Sequence, residues 1–370
     1  MTARSADEAN RAASQLELLF DLTFVIAVAS LAHGFAEAIG AGHAADTIVP
    51  FLQVFFAVWW AWVNFTWFAS AFDTDDVPFR LLTLVQMAGV LVLAAGVPAA
   101  LEHGDYRAVT YGYAIMRAGL VAHWLRAAIE DPSCRSTALR YAFGISVLQL
   151  AWLGRLALDA PGLWLFAALV CCELAVPLWA ERPHATSWHP HHIAERYGLF
   201  AVILFGECIF AASMGVNEVV SSDGVSLSLV ATAVTALVLV FALWWLYFLQ
   251  EPGAGLAAHR ERSYVWGYGH YGIVAALAAI SAGLEVAVGP SGAAGHAVAI
   301  PVAVFVALLW ALHAPIAPLL PGRVALASCL LILLAPTLTG EVASLALITA
   351  ICAALVARTL AVTNRRPAWS

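Results

Sequence analysis

Twelve runs of about twenty apolar residues follow one another along this chain, and that succession is its strongest constraint. A run of this length is what an α-helix needs to cross a bilayer. The cores fall at 17–39, 48–70, 79–99, 107–129, 137–158, 162–180, 194–215, 226–249, 264–286, 296–314, 323–339 and 342–361. The links between them are short and rich in turn formers, as at Asp131–Pro132–Ser133, Ser221 to Gly224 and Pro321–Gly322. Composition agrees. Of the 370 residues, 62% are hydrophobic and only 11% charged, against roughly 25% charged in a water-soluble domain. Too few polar side chains exist to cover a globule in water. The fold class expected is all-α, a polytopic membrane protein with about 12 transmembrane helices. The runs are about twice the length of a barrel strand and lack its alternation.

The remaining totals exclude other classes. The net charge is −7, so the chain is no basic nucleic-acid binder. Six cysteines occur without CxxC or ligand spacing, and all but Cys134 lie in apolar runs, where they read as small packing residues. No Gly-rich phosphate loop, GxSxG or HExxH is present. The chain reads as no enzyme, with no cofactor and no metal. The run opening at Glu17 is too long for a signal-peptide core and reads as a retained first helix.

Arginine carries the whole basic content, 17 residues with no lysine. With the N-terminus inside, fourteen fall on the inner face, the last two being Arg365 and Arg366. Arg107 and Arg155 fall on the outer face, and Arg117 lies within the fourth run. The positive-inside rule then makes both termini cytoplasmic.

The chain also repeats itself. Trp59–Trp60 in the second run and Trp244–Trp245 in the eighth stand 185 positions apart, and Trp124 and Trp310 stand 186 apart. Six helices per half leave both halves in the same orientation, a parallel repeat. The expected division is 1–182 as the first half, 183–192 as a cytoplasmic linker and 193–370 as the second half.

Ionisable groups inside the runs are the candidate functional residues, because a charge facing lipid is unfavourable. Glu207 lies twelve residues beyond Glu195, about 18 Å along a helix, near the midplane, beside Gly206. It reads either as a carboxyl neutralised by Arg117 or a neighbour, or as a proton or cation site. Glu17 and Asp21 share one helix face at i and i+4. They read either as carboxylates favoured by a helix N-terminus or as a cation-collecting inner mouth. Arg117 and Glu173 read as an ion pair, and His270 as a titratable partner in a path. His189, His192 and Glu195 form a polar linker whose spacing also suits a zinc ion. Trp59, Trp60 and Trp62, with Trp244 and Trp245 of the other half, are candidates for an aromatic pocket.

Several of these residues carry a family resemblance. Glu17-Leu18-Leu19-Phe20-Asp21-Leu22-Thr23-Phe24-Val25 opens the first helix. The second half opens with His189-Pro190-His191-His192-Ile193-Ala194-Glu195-Arg196-Tyr197-Gly198-Leu199-Phe200 and runs on to Gly206-Glu207. Leu243-Trp244-Trp245-Leu246-Tyr247-Phe248, Tyr268-Gly269-His270 and Gly283-Leu284-Glu285 follow. In this order the set resembles the bacterial low temperature requirement protein A family. The resemblance implies a multipass inner-membrane protein and singles out Asp21, His192, Glu195, Arg196, Glu207, His270 and Glu285. It implies no settled activity. The opening Glu17 to Val28 is also similar to the F-S-D start of six-helix-repeat potassium channels. Here Leu19 or Phe20 replaces the serine, and the seventh helix lacks the aspartate.

The function expected is a channel or transporter for a small ion or solute, with a polar path through intramembrane carboxylates. The alternatives are a ligand-binding or lipid-interacting sensor without transport, and a membrane-embedded enzyme. The partners expected are the lipid bilayer and a small ion or organic ligand. A homo-oligomer is compatible with this reading, and nucleic acid is not.

Overall fold

The computed structural model describes all residues except 2, 5–7, 9–10, 73, 159–160, 250–251, 290–294, 316–319 and 364–370. Arg365 and Arg366 lie outside the described residues. Among the described residues the chain is all helix, with no strand. In order the helices are α1 (Gln15–Gly40), α2 (Ala44–Phe72), α3 (Val77–Ala95), α4 (Val97–His103), α5 (Arg107–Glu130), α6 (Arg135–Arg155) and α7 (Leu163–Ala180). Then come α8 (Pro190–Asp223), α9 (Leu227–Phe248), α10 (Pro252–Ala258), α11 (Ser263–Val288), α12 (Gly295–His313), α13 (Gly322–Thr339) and α14 (Glu341–Thr363).

Twelve of these helices are long, one for each apolar run. The short helices α4 and α10 were not legible in the apolar pattern. Ten of the twelve are long and apolar enough to cross a membrane, including both α13 and α14. The exceptions, α5 and α6, carry polar residues within their lengths: Arg117 and His123 in α5, Arg140 and Gln149 in α6. In α5, both Arg117 and His123 are buried in the protein rather than turned to lipid. The helix α8 runs for 34 residues, about 51 Å, and so overreaches a hydrocarbon core of about 30 Å.

Helix starts follow from local chemistry. Ser14 and Glu17 form a capping box at α1. The Glu17 N–H donates to Ser14 Oγ at 3.3 Å, and the Ser14 N–H donates to Glu17 Oε2 at 2.8 Å. Asp76 caps α3 by accepting the Phe79 N–H at 3.0 Å, with Pro78 in the first turn. Ser226 does the same for α9 through the Leu229 N–H.

The chain divides into two compact units. One comprises Met1–Ala27 with Gln53–Arg196, the other Val28–Leu52 with Tyr197–Ser370. The hairpin from the end of α1 to the start of α2 thus groups with the second unit, and the later boundary falls inside α8.

In the first unit α3 lies along α5, and α5, α6 and α7 pack in succession. The α3–α5 contact is close because it is built on glycine. A Cβ on Gly112 would stand 2.3 Å from the Leu93 backbone nitrogen, and one on Gly89 would stand 2.7 Å from the Gly112 carbonyl oxygen. Small residues that let backbones approach are the usual means of joining helices in lipid. Aromatic rings from α2 and α3 pack around buried His123 of α5, with Phe79 at 4.8 Å and Phe68 at 5.1 Å between ring centres. In the second unit α11 packs on α12, α12 on α13, and α14 on α9 and α13.

Candidate functional site

The first unit buries two charge clusters. In the first, Arg196 of α8 lies against two carboxylates one turn apart on α1. Its Nη1 donates to Glu17 Oε1 at 2.5 Å. Its Nη2 and Nε donate to Asp21 Oδ1 and Oδ2 at 2.6 and 3.2 Å. The Trp62 indole N–H donates to Asp21 Oδ1 at 2.7 Å. His192, one turn before Arg196, places Nε2 3.1 Å from Glu17 Oε1. All four ionisable groups are buried. The i, i+4 spacing of Glu17 and Asp21 on α1, met by that of His192 and Arg196 on α8, is what makes the four-way contact possible.

This arrangement differs from the open cation-collecting mouth expected at Glu17 and Asp21. The carboxylates face inward because a charged partner is there to receive them, and an unpaired charge facing lipid would be unfavourable. Glu195, by contrast, is exposed and accepts the Ala13 N–H at 3.2 Å. His189 turns its Nδ1 toward the His192 N–H at 3.3 Å. The His189, His192 and Glu195 side chains therefore do not converge. Among the described residues no three His, Cys, Asp or Glu groups converge as metal ligands.

The second cluster centres on Glu173 of α7. It pairs with Arg117 Nη2, which also donates to the Tyr113 hydroxyl. Glu173 accepts in addition from the Trp60 indole at 2.9 Å, the Trp152 indole at 3.1 Å and the Tyr113 hydroxyl at 3.3 Å. Four donors on one buried carboxylate make a saturated site. Trp60 and Trp62 thus serve as hydrogen-bond donors to buried carboxylates, and Trp59 is buried beside them. Trp244 and Trp245 of α9 are exposed on the apolar surface. The expected aromatic pocket differs from what these five indoles do: two satisfy carboxylates, one packs, and two face outward.

The second unit holds a different kind of group. Glu207 of α8 is 5% exposed and lies within electrostatic reach of Glu285 of α11 and His33 of α1. Glu285, 15% exposed, meets His33 Nδ1 at 2.7 Å, and His33 is 54% exposed. No described arginine pairs with Glu207 or Glu285. The Ser281 hydroxyl donates to the Glu207 backbone carbonyl at 3.2 Å, which ties α11 to α8. His33 is the residue that sequence reasoning did not bring into the site. Its partner stands 252 positions away.

His270 is buried apart from these carboxylates. Its Nδ1 donates to the Trp266 carbonyl at 2.7 Å, and its ring stands 4.1 Å from Trp266 and 5.1 Å from Tyr197. It sits 6.2 Å from His313, whose Nδ1 donates to the Leu309 carbonyl. The expected role beside Glu207 finds no contact in this arrangement.

Ten helices long and apolar enough to span a bilayer, with ion pairs sealed among them, define a multipass membrane protein. Residues 12–362 match the family described as Bacterial low temperature requirement A protein (LtrA), and the chain belongs to that family. It is also similar to an uncharacterized protein of Rhizobium meliloti (strain 1021), at 28% identity over 283 residues. That match covers 72% of this chain and 67% of the relative.

Proposed function

We propose that this protein is a channel or transporter for a small ion or solute in the bacterial inner membrane, with both termini cytoplasmic. In this reading Glu207 and Glu285 carry the exchangeable proton or cation. One observation supports it above the others. Of the five carboxylates Glu17, Asp21, Glu173, Glu207 and Glu285, the first three each have a buried arginine, and the last two have none. A carboxylate locked to arginine keeps its partner. A carboxylate that meets only a histidine is not held by a permanent cation, and histidine is a common proton shuttle. His33 is 54% and Glu285 15% exposed, so that pair stands at the surface of its unit rather than sealed within it. Arg196 and His192 then serve to hold α1 against α8, and Arg117 to hold α5 against α7.

The test is flux. The purified protein, reconstituted in liposomes, is assayed for potassium and proton movement beside Glu207→Gln and Glu285→Gln. Loss of flux in both, with the protein still folded, is the expected result. Flux equal to wild type in both would overturn the reading.

A further inference from the structure

Arg155, the last residue of α6, is a buried cation without a counter-charge among the described residues. Its side chain belongs to a residue only 8% exposed. The other described buried arginines each have an acceptor: Arg11 donates to the Ala69 carbonyl, Arg117 to Glu173, and Arg196 to Glu17 and Asp21. Arg155 has neither carboxylate nor carbonyl among the described residues. Its Nε is sealed and unpartnered, whereas the two terminal nitrogens are not sealed. Two rings flank the guanidinium, Tyr106 at 5.5 Å and Phe166 at 5.8 Å from ring centre to Cζ. The Tyr106 hydroxyl donates to Gln53 Oε1 at 2.6 Å.

Place adds to chemistry. Tyr106 caps α5, Arg155 ends α6, and Phe166 lies in the first turn of α7. Three helix ends of one unit meet there. The large apolar side chains nearby in sequence, Leu150, Leu158, Leu163 and Trp164, are exposed. An exposed apolar surface ending in a Trp is what a helix presents where hydrocarbon gives way to headgroups. The C-terminal carbonyls of α6 favour a cation there and the rings add a cation–π contribution. Neither satisfies the N–H groups, and a buried charge without hydrogen bonds is unfavourable. The planar fork of arginine matches the paired oxygens of a phosphate group.

We propose that Arg155, collared by Tyr106 and Phe166, binds a phosphate oxyanion at the end of α6. Two sources share that chemistry, a phospholipid headgroup and a soluble phosphate. The site is independent of the Glu207 and Glu285 reading and would stand if that reading failed.

The experiment is native mass spectrometry of the full protein released from detergent. The probes are phosphatidylglycerol, a diacylglycerol with the same chains but no phosphate, and inorganic phosphate. Wild type is expected to retain phosphatidylglycerol and not diacylglycerol. Arg155→Gln should weaken retention about tenfold or more, the scale of a lost charge-assisted contact. Arg155→Lys keeps the charge without the fork and should fall between. Phe166→Leu should weaken retention by a smaller factor, which keeps the test decisive if Arg155→Gln fails to fold. Arg107→Gln, at an exposed arginine near Asp105, should leave it unchanged. Competition by inorganic phosphate would identify a soluble oxyanion as the occupant, and its absence would identify the headgroup. Equal retention of diacylglycerol, or undiminished retention by both Arg155→Gln and Phe166→Leu, would overturn the proposal.

Discussion

Arg196 engages Asp21 through two nitrogens, Nη2 to Oδ1 at 2.6 Å and Nε to Oδ2 at 3.2 Å, across the α1–α8 contact. The same guanidinium holds Glu17, so a single side chain is bonded to two buried carboxylates. Removing it leaves both carboxylates without their main partner. Loss of one member of a buried ion pair costs about 3–5 kcal/mol. Arg196→Gln should therefore destabilise the protein by about that much, measured by denaturant or thermal unfolding in detergent. Arg196→Gln combined with Asp21→Asn and Glu17→Gln should recover part of the loss, because the uncompensated charges go with it. A triple variant less stable than the single one would contradict this account.

Asp76 makes a pH prediction outside the membrane-spanning helices. The Arg126 guanidinium, bonded to its carboxylate, holds it down to about 2, with help from the Phe79 N–H it caps. The folded value is below the ordinary one, so the ionised form is favoured by folding. That contribution is present above the ordinary aspartate range and is lost as pH falls through about 2. At neutral pH Asp76→Ala should cost about 1 kcal/mol, the usual value of an N-cap. The difference from wild type should shrink as pH falls below 4 toward 2, read from melting curves over that range. A difference that stays constant would show that Arg126 does not act on this carboxylate.

Packing gives a contrast between two glycines. Gly112 has no room for a Cβ against the α3 backbone, whereas one on Gly154 would meet nothing within 4 Å. Backbone atoms cannot step aside as a side chain can. Gly112→Ala should therefore force α3 and α5 apart and cost about 1–3 kcal/mol. Gly154→Ala, in the last turn of α6, should be neutral or stabilise by up to about 1 kcal/mol. Both are read from the same unfolding assay, and equal effects would mean that the α3–α5 approach is looser than described.

How much of this was legible in the sequence depends on whether one dimension suffices. Twelve apolar runs give twelve long helices among the described residues, ten of them apolar enough to cross a membrane, because that property is read from local hydrophobicity. The capping box at Ser14 and Glu17 is likewise a local pattern. The Arg117–Glu173 pair could be proposed because few charges occur inside those helices. Which charge meets which in general depends on helix rotation and packing, and these are set by the whole assembly. Hence His33, an exposed residue near the end of α1, gave no signal of its contact with Glu285. The indoles of Trp60 and Trp62 gave no signal that their N–H groups are directed at Glu173 and Asp21. The composition of the second helix suggests a ligand cage as readily as a set of donors.

The sharpest prediction separates carboxylates that hold the fold from those proposed to exchange a proton or cation. Glu173 receives four donors, and Arg117 depends on it for its charge balance. Glu173→Gln should cost about 3–5 kcal/mol, because it strands a buried guanidinium. Glu207 has no arginine and no side-chain hydrogen bond among the described residues. Its replacement by Gln removes a charge that burial disfavours, so stability should change by less than about 0.5 kcal/mol or rise. Flux should follow the opposite order. Glu207→Gln should abolish it in a stable protein, and any Glu173→Gln protein that folds should retain it. Unfolding and liposome flux measured on the same preparations decide the matter. If Glu207→Gln unfolds the protein and Glu173→Gln silences flux without loss of stability, the assignment of roles between α7 and α8 is reversed.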